Sequence, residues 1–231
     1  MATVSSLVSL VYRELREDQS SPSWQSRMWS VDEVKDAIRE ALDNALMKTQ
    51  SIITAEKITI DASNPTISIS MRDKLKIISA KVGSKMLKIR DILLMNYEES
   101  GWDTSGETGE PQYMIISEAQ NSTLGTGKYN GNIFVSFYPV PASAEELIIY
   151  YIPRLEFEEG GSEVDFNFSQ TFIRAIVSYA VYVLLQKVVS AEGFQEAQMY
   201  LQLFEMLLGN ETYISKFNLP VKAVSQSEDK A

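Results

Sequence analysis

Two residue types are missing from this chain of 231 residues: it has no cysteine and no histidine. Their absence removes disulfide frameworks, zinc fingers, cysteine nucleophiles and Ser-His-Asp triads together. Positive charge is scarce as well. Lysine and arginine number 21 against 31 aspartates and glutamates, a net charge of −10. A surface of that sign repels the phosphate backbone and argues against a DNA- or RNA-binding module. Long apolar runs are lacking too. The most apolar one, "AIVSYAVYVLL" from Ala175 to Leu185, is too short for a bilayer span, which needs about 20 residues. The start, "MATVSSLVSLVYRELRED", has neither the basic opening nor the unbroken apolar core of a signal peptide. The expectation is a soluble protein made and used in a cytoplasm, with no membrane partner.

What is present suits a packed core, with 45% hydrophobic and 23% charged residues. The length fits one large domain or a domain carrying an insertion. Val4, Leu7, Val8, Val11 and Leu15 recur at helical spacing, so the chain opens with an amphipathic helix. After a polar connector, "SVDEVKDAIREALDNALMKTQ" carries a second apolar stripe: Val34, Ile38, Ala41, Leu42, Ala45 and Leu46. Ser30 and Glu33 there fit a capping box. From about Ala55 the period changes to two. The run "KITIDASNPTISISMRDKLKIISAKVGSKMLKIRDILLMNYEE" alternates apolar with polar and is punctuated by Asn64-Pro65 and Gly83. "QYMIIS", "NIFVSFYP" and "ELIIYYIP" add strands, for about five to seven short, locally connected strands in an antiparallel unit. Helix returns from about Gln170 to Val189, apolar nearly all round, as for a central buried helix. In the last helix Phe194, Ala197, Leu201, Phe204 and Leu208 form a seam, and Gly209 reads as its C-cap. From Asn210 the helical period is lost.

The reading is therefore an α+β fold. An antiparallel bundle of about four helices (1–55 and 168–209) receives an inserted antiparallel β module (56–167), and an extended tail follows (210–231). Ile176, Tyr179, Val183 and Leu184 are expected in the bundle core with Leu201 and Phe204. The tail keeps Tyr213, Ile214, Phe217, Leu219 and Val221, anchors suited to docking on a neighbouring protein in extended form.

Candidate chemistry is thin. Gly127-Lys128 in "LGTGKYNG" invites a phosphate-loop reading, but Ser122 and Tyr129 stand where glycine and Ser/Thr are required; a hairpin loop accounts for it. "EVDFN", from Glu163, alternates oxygen ligands like a calcium loop, yet Phe168 and Arg174 occupy the glycine and glutamate places. The cluster Glu156, Glu158, Glu159, Glu163 and Asp165 could serve a carboxylate-dependent hydrolase, although a solvated acidic loop is the default. No catalytic, metal-binding or cofactor-binding residue is assigned. Trp24, Trp29, Tyr150 and Tyr151 are the candidates for a subunit interface, weighed evenly against packing inside the chain.

The order of features is more telling than any one motif. "GWDTSGETGEPQYMII" precedes "FYPVPASAEELIIYYIPRLEF", then "FIRAIVSYAVYVLLQKV" and "FQEAQMYLQLFEMLL". This resembles the head-to-tail adaptors (connectors, or neck proteins) of tailed bacteriophages. The resemblance is carried by Trp102, Gly109, Pro111 and Tyr113; by Phe137, Tyr138, Pro139 and Pro141; by Tyr150 and Tyr151; by Tyr179 and Ala180; and by Ala197 and Tyr200. It covers roughly Val4 to Gly209. It implies a structural virion protein without enzymatic activity, assembled in the host cytoplasm and placed in the virion neck. Identical subunits would form a ring, commonly a dodecamer, under the portal protein, with tail or tail-tube proteins below and double-stranded DNA passing without specific binding. The bundle would build the ring, and the "FYPVPASAEELIIYYIP" hairpin would belong to the β module, Pro139 and Pro141 shielding its strand ends. A tail-completion or tail-tube factor is the nearest alternative; four helices argue against a tube protein.

Overall fold

The computed structural model describes residues 3–15, 28–61, 63, 65–118, 131–155, 168–188 and 190–217, with side chains through Gly209 in the last segment. Five helices and ten strands occur among them, in the order α1 (Val4–Glu14), α2 (Val31–Thr49), β1 (Thr54–Ile60), β2 (Thr66–Ser70), β3 (Lys74–Val82), β4 (Lys85–Met86), β5 (Lys88–Asp91), α3 (Ile92–Glu98), β6 (Thr108–Gly109), β7 (Tyr113–Glu118), β8 (Asn132–Tyr138), β9 (Val140–Pro141), β10 (Glu145–Pro153), α4 (Gln170–Leu185) and α5 (Ala191–Phe217). The fold is mixed α+β. Two compact units divide it: one from 1–51 and 155–222, the other 52–154 with 223–231.

In the first unit, α4 packs against α1, α2 and α5, and α2 also meets α1 and α5. Sequence explains each helix locally. Thr3 and Ser6 cap α1 reciprocally. Ser30 and Glu33 form the expected capping box on α2, the Glu33 N–H donating to Ser30 Oγ at 3.2 Å and the Ser30 N–H to Glu33 Oε2 at 3.0 Å. Those bonds from Ser30, with Lys187 nearby, hold the Glu33 carboxyl below the usual range. The whole stripe read on α2 is buried, with Ala37 and Thr49 added. In α4, Ile176 and Leu184 are fully buried; Tyr179 and Val183 are half-buried, and so is Leu201 of α5. Phe204 sits at the centre. Its ring lies 4.6 Å from that of Tyr179, and Lys48 Nζ of α2 lies 5.1 Å from its centroid. Burial, with Glu40 beside it, pushes the Tyr179 hydroxyl up to about 12. Trp29 is buried, and its carbonyl accepts a hydrogen bond from the Tyr12 hydroxyl at 3.2 Å.

Helix α5 runs through Gly209 to Phe217, so the tail expected from Asn210 begins inside a helix. A glycine ends a helix when it turns left-handed; among the described residues the positive-φ glycines are Gly83, Gly101, Gly106 and Gly131, and Gly209 is not one of them. A glycine inside a helix costs only about 1 kcal/mol, which continued hydrogen bonding offsets. Phe194, read into the packing seam, is 60% exposed, while Ala197, Phe204 and Leu208 are buried as expected.

The second unit is built from two four-stranded sheets and a small parallel pair. The first sheet has the order β1-β10-β3-β4, the second β2-β8-β7-β5, and β6 pairs with β9. Their inner faces share one apolar core: Ile60, Leu147, Ile149, Ala80 and Val82 from the first sheet, Ile67, Ile69, Met114, Val135 and Phe137 from the second. The two-residue alternation is what supplies one apolar face per strand.

Three expectations need correction. The pairing is not local: β1 lies beside β10 (Thr54↔Tyr151). It is not wholly antiparallel: β5–β7 and β6–β9 are parallel. The first of these follows from α3, which carries the chain between β5 and β7 and makes the crossover that a parallel pair requires. The proline-rich stretch is also not a hairpin, because β8 belongs to the second sheet and β10 to the first. Proline has no donor to continue a ladder. Backbone groups around Pro139 pair elsewhere instead: the Gln112 N–H donates to the Tyr138 carbonyl at 3.0 Å, and the Val140 N–H to the Glu107 carbonyl at 2.9 Å. The segment is an arch from one sheet to the other.

Phe204→Ala is expected to destabilise the helical unit by about 3–5 kcal/mol, since a fully buried ring is removed. Met199→Ala, on the opposite, exposed side of the same helix, is expected to change stability by under about 0.5 kcal/mol. Denaturant unfolding of both variants checks this; equal effects would contradict the core assignment.

Candidate interaction surfaces

The structure separates the two adjacent tyrosines. Alternation along β10 turns Tyr151 toward the core side with Leu147 and Ile149, and Tyr150 outward with Ile148. Tyr151 is 8% exposed, and Lys74 Nζ lies 4.6 Å from its ring centroid. Lys74 is itself buried. It bonds Asp73 Oδ1 at 2.9 Å and pairs with Glu56 Oε2 at 3.0 Å. Burial pulls the lysine down, but its bonds to Asp73 and Glu56 outweigh this and leave it above its ordinary value. The bond from Lys74 holds the Asp73 carboxyl below its usual range. Burial also raises the Tyr151 hydroxyl. Tyr151 is therefore a structural residue of the β unit, and Tyr150 is the one left half-exposed.

Tyr150 lies on the outer face of the first sheet. A row crosses four strands of that face in direct register: Lys57, Ile148, Lys81 and Met86. Lys81 reaches over the Tyr150 ring at 5.8 Å, and Lys57 pairs with Glu146 at 3.1 Å. Lys76, opposite Ile152, adds a third lysine. Lys57, Lys76 and Met86 are exposed. The face combines lysines with an apolar centre.

The other side of the β unit is different. Asp91 caps α3, its Oδ1 accepting from the Leu94 N–H at 2.8 Å. The helix rests on β5 and β7, and Met95 is its only buried residue. Beneath it, Ile115 of β7 points away from the core, being adjacent to inward-facing Met114, yet is 1% exposed. Opposite Met95, α3 presents Leu93 at 77% and Tyr97 at 88% exposure, flanked by Ile92 and Leu94. The segment that contains this apolar ridge is acidic in sequence: from Asp91 to Glu110 it carries Asp91, Glu98, Glu99, Asp103, Glu107 and Glu110 and neither lysine nor arginine. Glu98 is paired with Arg90, Glu110 with Lys85, and Glu107 accepts from the Tyr138 hydroxyl at 2.7 Å. Glu99 and Asp103 are exposed, with no ion pair among the described residues. Sequence reasoning missed this surface by extending the two-residue period across it. Asp91 ahead of "ILLMNYE" was the available signal, an N-cap before a helix-length apolar segment.

A third apolar surface lies on α5, where Met199, Leu203 and Met206 are exposed at helical spacing opposite Ala197, Phe204 and Leu208. Trp29 is 7% exposed within its own chain. Trp24, Leu219, Val221 and the side chains of Tyr213, Ile214 and Phe217 lie outside the described residues, as do the acidic cluster at 156–167 and most of "LGTGKYNG". Among the described residues no group of His, Cys, Asp and Glu could hold a metal ion, and no helix is long and apolar enough to cross a membrane.

Lys74→Ala is expected to cost about 1–3 kcal/mol and Lys74→Met distinctly less, because methionine keeps the stem that packs on Tyr151. The carboxylates contribute little: Asp73 and Glu56 side chains are 57% and 40% exposed, and such pairs are worth under about 1 kcal/mol. Asp73 has a lowered pKa, so its share is present above the ordinary carboxylate value and fades as pH falls through the lowered one. Lys74 has a raised pKa, so its share is present below the ordinary lysine value and fades as pH rises through the raised one. The difference between wild type and Lys74→Met should then stay flat from about pH 5 to about pH 9. Unfolding measured at several pH values checks both points.

No curated protein matches the chain. A family model described as SU10 adaptor protein matches residues 2–222. That span takes in both units and every surface described above, and it bears out the likeness to phage head-to-tail adaptors: the chain belongs to the SU10 adaptor protein family.

Proposed function

We propose that this structural phage protein joins capsid to tail as a closed ring of identical subunits, a dodecamer, seated under the portal and lining the channel through which DNA passes. The observation that carries the reading is membership of a phage adaptor family over residues 2–222. It also accounts for the surfaces. A subunit that lives in an assembly keeps apolar side chains exposed in isolation, as on α3 and α5, because partners cover them. A net charge of −10 suits a channel for a polyanion, since lumenal lysines would bind phosphates and slow passage. The role is structural, and no residue is assigned to catalysis.

Native mass spectrometry of the protein mixed with portal is expected to give a closed homo-oligomer bound to portal. A chain that stays monomeric with portal, and is absent from purified particles, would contradict the proposal.

Portal docking is assigned to Tyr213, Ile214, Phe217, Leu219 and Val221. In the continuous helix α5, positions 213 and 217 continue the helical phase of Met199, Leu203 and Met206, so the docking element is helical at least to Phe217 rather than extended throughout. Deleting the chain from Tyr213 onward should leave melting nearly unchanged and abolish attachment to portal-bearing heads. Unfolding on truncation, or attachment left intact, would show that this segment is not the docking element.

A further inference from the structure

We propose that neighbouring subunits contact one another head to tail through their β units: the acidic, apolar α3 ridge of one copy seats on the lysine-bearing outer face of the first sheet of the next. The inference rests on the ring reading above and names a contact between neighbouring β units, in addition to the ring contacts expected of the helical unit.

Three observations carry it. First, the two surfaces are complementary in charge. The segment from Asp91 to Asp103, which contains the ridge, carries Asp91, Glu98, Glu99 and Asp103 and no lysine or arginine; Asp91 caps the helix and Glu98 pairs with Arg90, leaving Glu99 and Asp103 without an ion pair among the described residues. The sheet face offers Lys57, Lys76 and Lys81 against the single acid Glu146. Second, they are complementary in apolar content. Leu93 and Tyr97, 77% and 88% exposed, would meet Ile148, Tyr150 and Met86, so buried apolar area accompanies the charge match. A large, rigid aromatic such as Tyr97 is the residue type that anchors interfaces. Third, they lie on opposite sides of one unit. Lys57, Ile148 and Lys81 alternate with Ile58, which packs against the core, and with the core residues Leu147 and Val82, so they face away from the sandwich on the first-sheet side. Helix α3 rests on β5 and β7 of the second sheet, on the side of Ile115 rather than of the core residue Met114.

Two complementary patches on opposite sides cannot satisfy each other within one chain, and they cannot form a two-fold dimer in which one patch meets itself. Acid would then face acid. Between copies of this chain they can only be satisfied by a heterologous contact, which propagates and closes into a ring when the rotation per step permits. The occupant of each patch is thus a second copy of this chain.

The lack of native cysteine makes the test clean. In the full-length protein, Tyr97→Cys and Met86→Cys are introduced singly and together, both at exposed positions that substitution should not unfold. Under oxidation the double variant should give a ladder of covalent multimers reaching the ring, and each single variant only monomer. Electrophoresis without reductant and peptide mapping of each band separate an interchain bond, which gives multimers, from an intrachain one, which leaves monomer and would overturn the inference. Covalent dimers from either single variant would reveal a symmetric contact and overturn the inference. So would absence of a ladder in double-variant material that native mass spectrometry shows to be a ring; the ring proposal would survive that result, with its contacts elsewhere, whereas a wild-type chain that forms no ring with portal would remove both. A second experiment uses Leu93→Asp/Tyr97→Asp, which spoils the ridge, and Lys57→Glu/Lys81→Glu, which spoils the face. Each alone should lose the ring, and an equal mixture should stop at dimers, since only one intact ridge and one intact face meet. Rings from either variant would contradict the assignment.

Discussion

The pairing of β1 with β10 is the constraint on which the β unit depends. These strands are its first and last, and they run antiparallel from Thr54↔Tyr151 to Ile60↔Glu145. The chain therefore enters and leaves the unit at neighbouring positions, which is how a module can interrupt a helical chain without forcing its ends apart. The same strand β10 then pairs with β3 on its other edge, so it is the central member of the first sheet. Its alternation decides two things at once. Leu147, Ile149 and Tyr151 face the core, and Ile148 and Tyr150 face out beside the lysines. A slip of one residue would exchange the two sets and destroy both the core and the outer face.

How much of this was legible in the sequence varies with the range of the interaction. The capping box at Ser30 and Glu33, the stripe on α2 and the burial of Ile176, Leu184 and Phe204 are local or periodic properties, and residue spacing alone identifies them. Alternation in "ELIIYYIP" reveals which residues share a face. It carries no information about which strand lies alongside, so the β1–β10 pairing and the parallel β5–β7 pair were invisible, and Pro139 and Pro141 read as a hairpin turn when they form an arch. The interaction surfaces were harder still. Tyr150 and Tyr151 stand out in the sequence as adjacent large aromatics, but spacing alone does not reveal that Lys74 covers Tyr151 while Tyr150 is left half-exposed. Leu93 and Tyr97 were overlooked because apolar residues in a continuing pattern look like core. Only the position of Met95, which takes the buried side of α3, makes them outward-facing.

The charge of the protein is unevenly placed, and this matters more than its total. The segment from Asp91 to Glu110 is wholly acidic in its charged residues, while the outer face of the first sheet holds Lys57, Lys76 and Lys81. Such separation within one unit is what a repeating assembly uses to fix direction, since each copy rejects like surfaces and accepts unlike ones. In the proposed ring it would let a net charge of −10 coexist with contacts between copies. Membership of the SU10 adaptor protein family gives this a setting, the assembly of a phage adaptor with other phage proteins.

Electron cryomicroscopy of the neck of intact particles tests the central claim most directly. The account expects a closed ring of this chain between portal and tail, with α3 of every subunit lying against the β1–β10–β3 outer face of the next. A neck without this chain, or a ring in which the α3 ridges face solvent or one another, would contradict it.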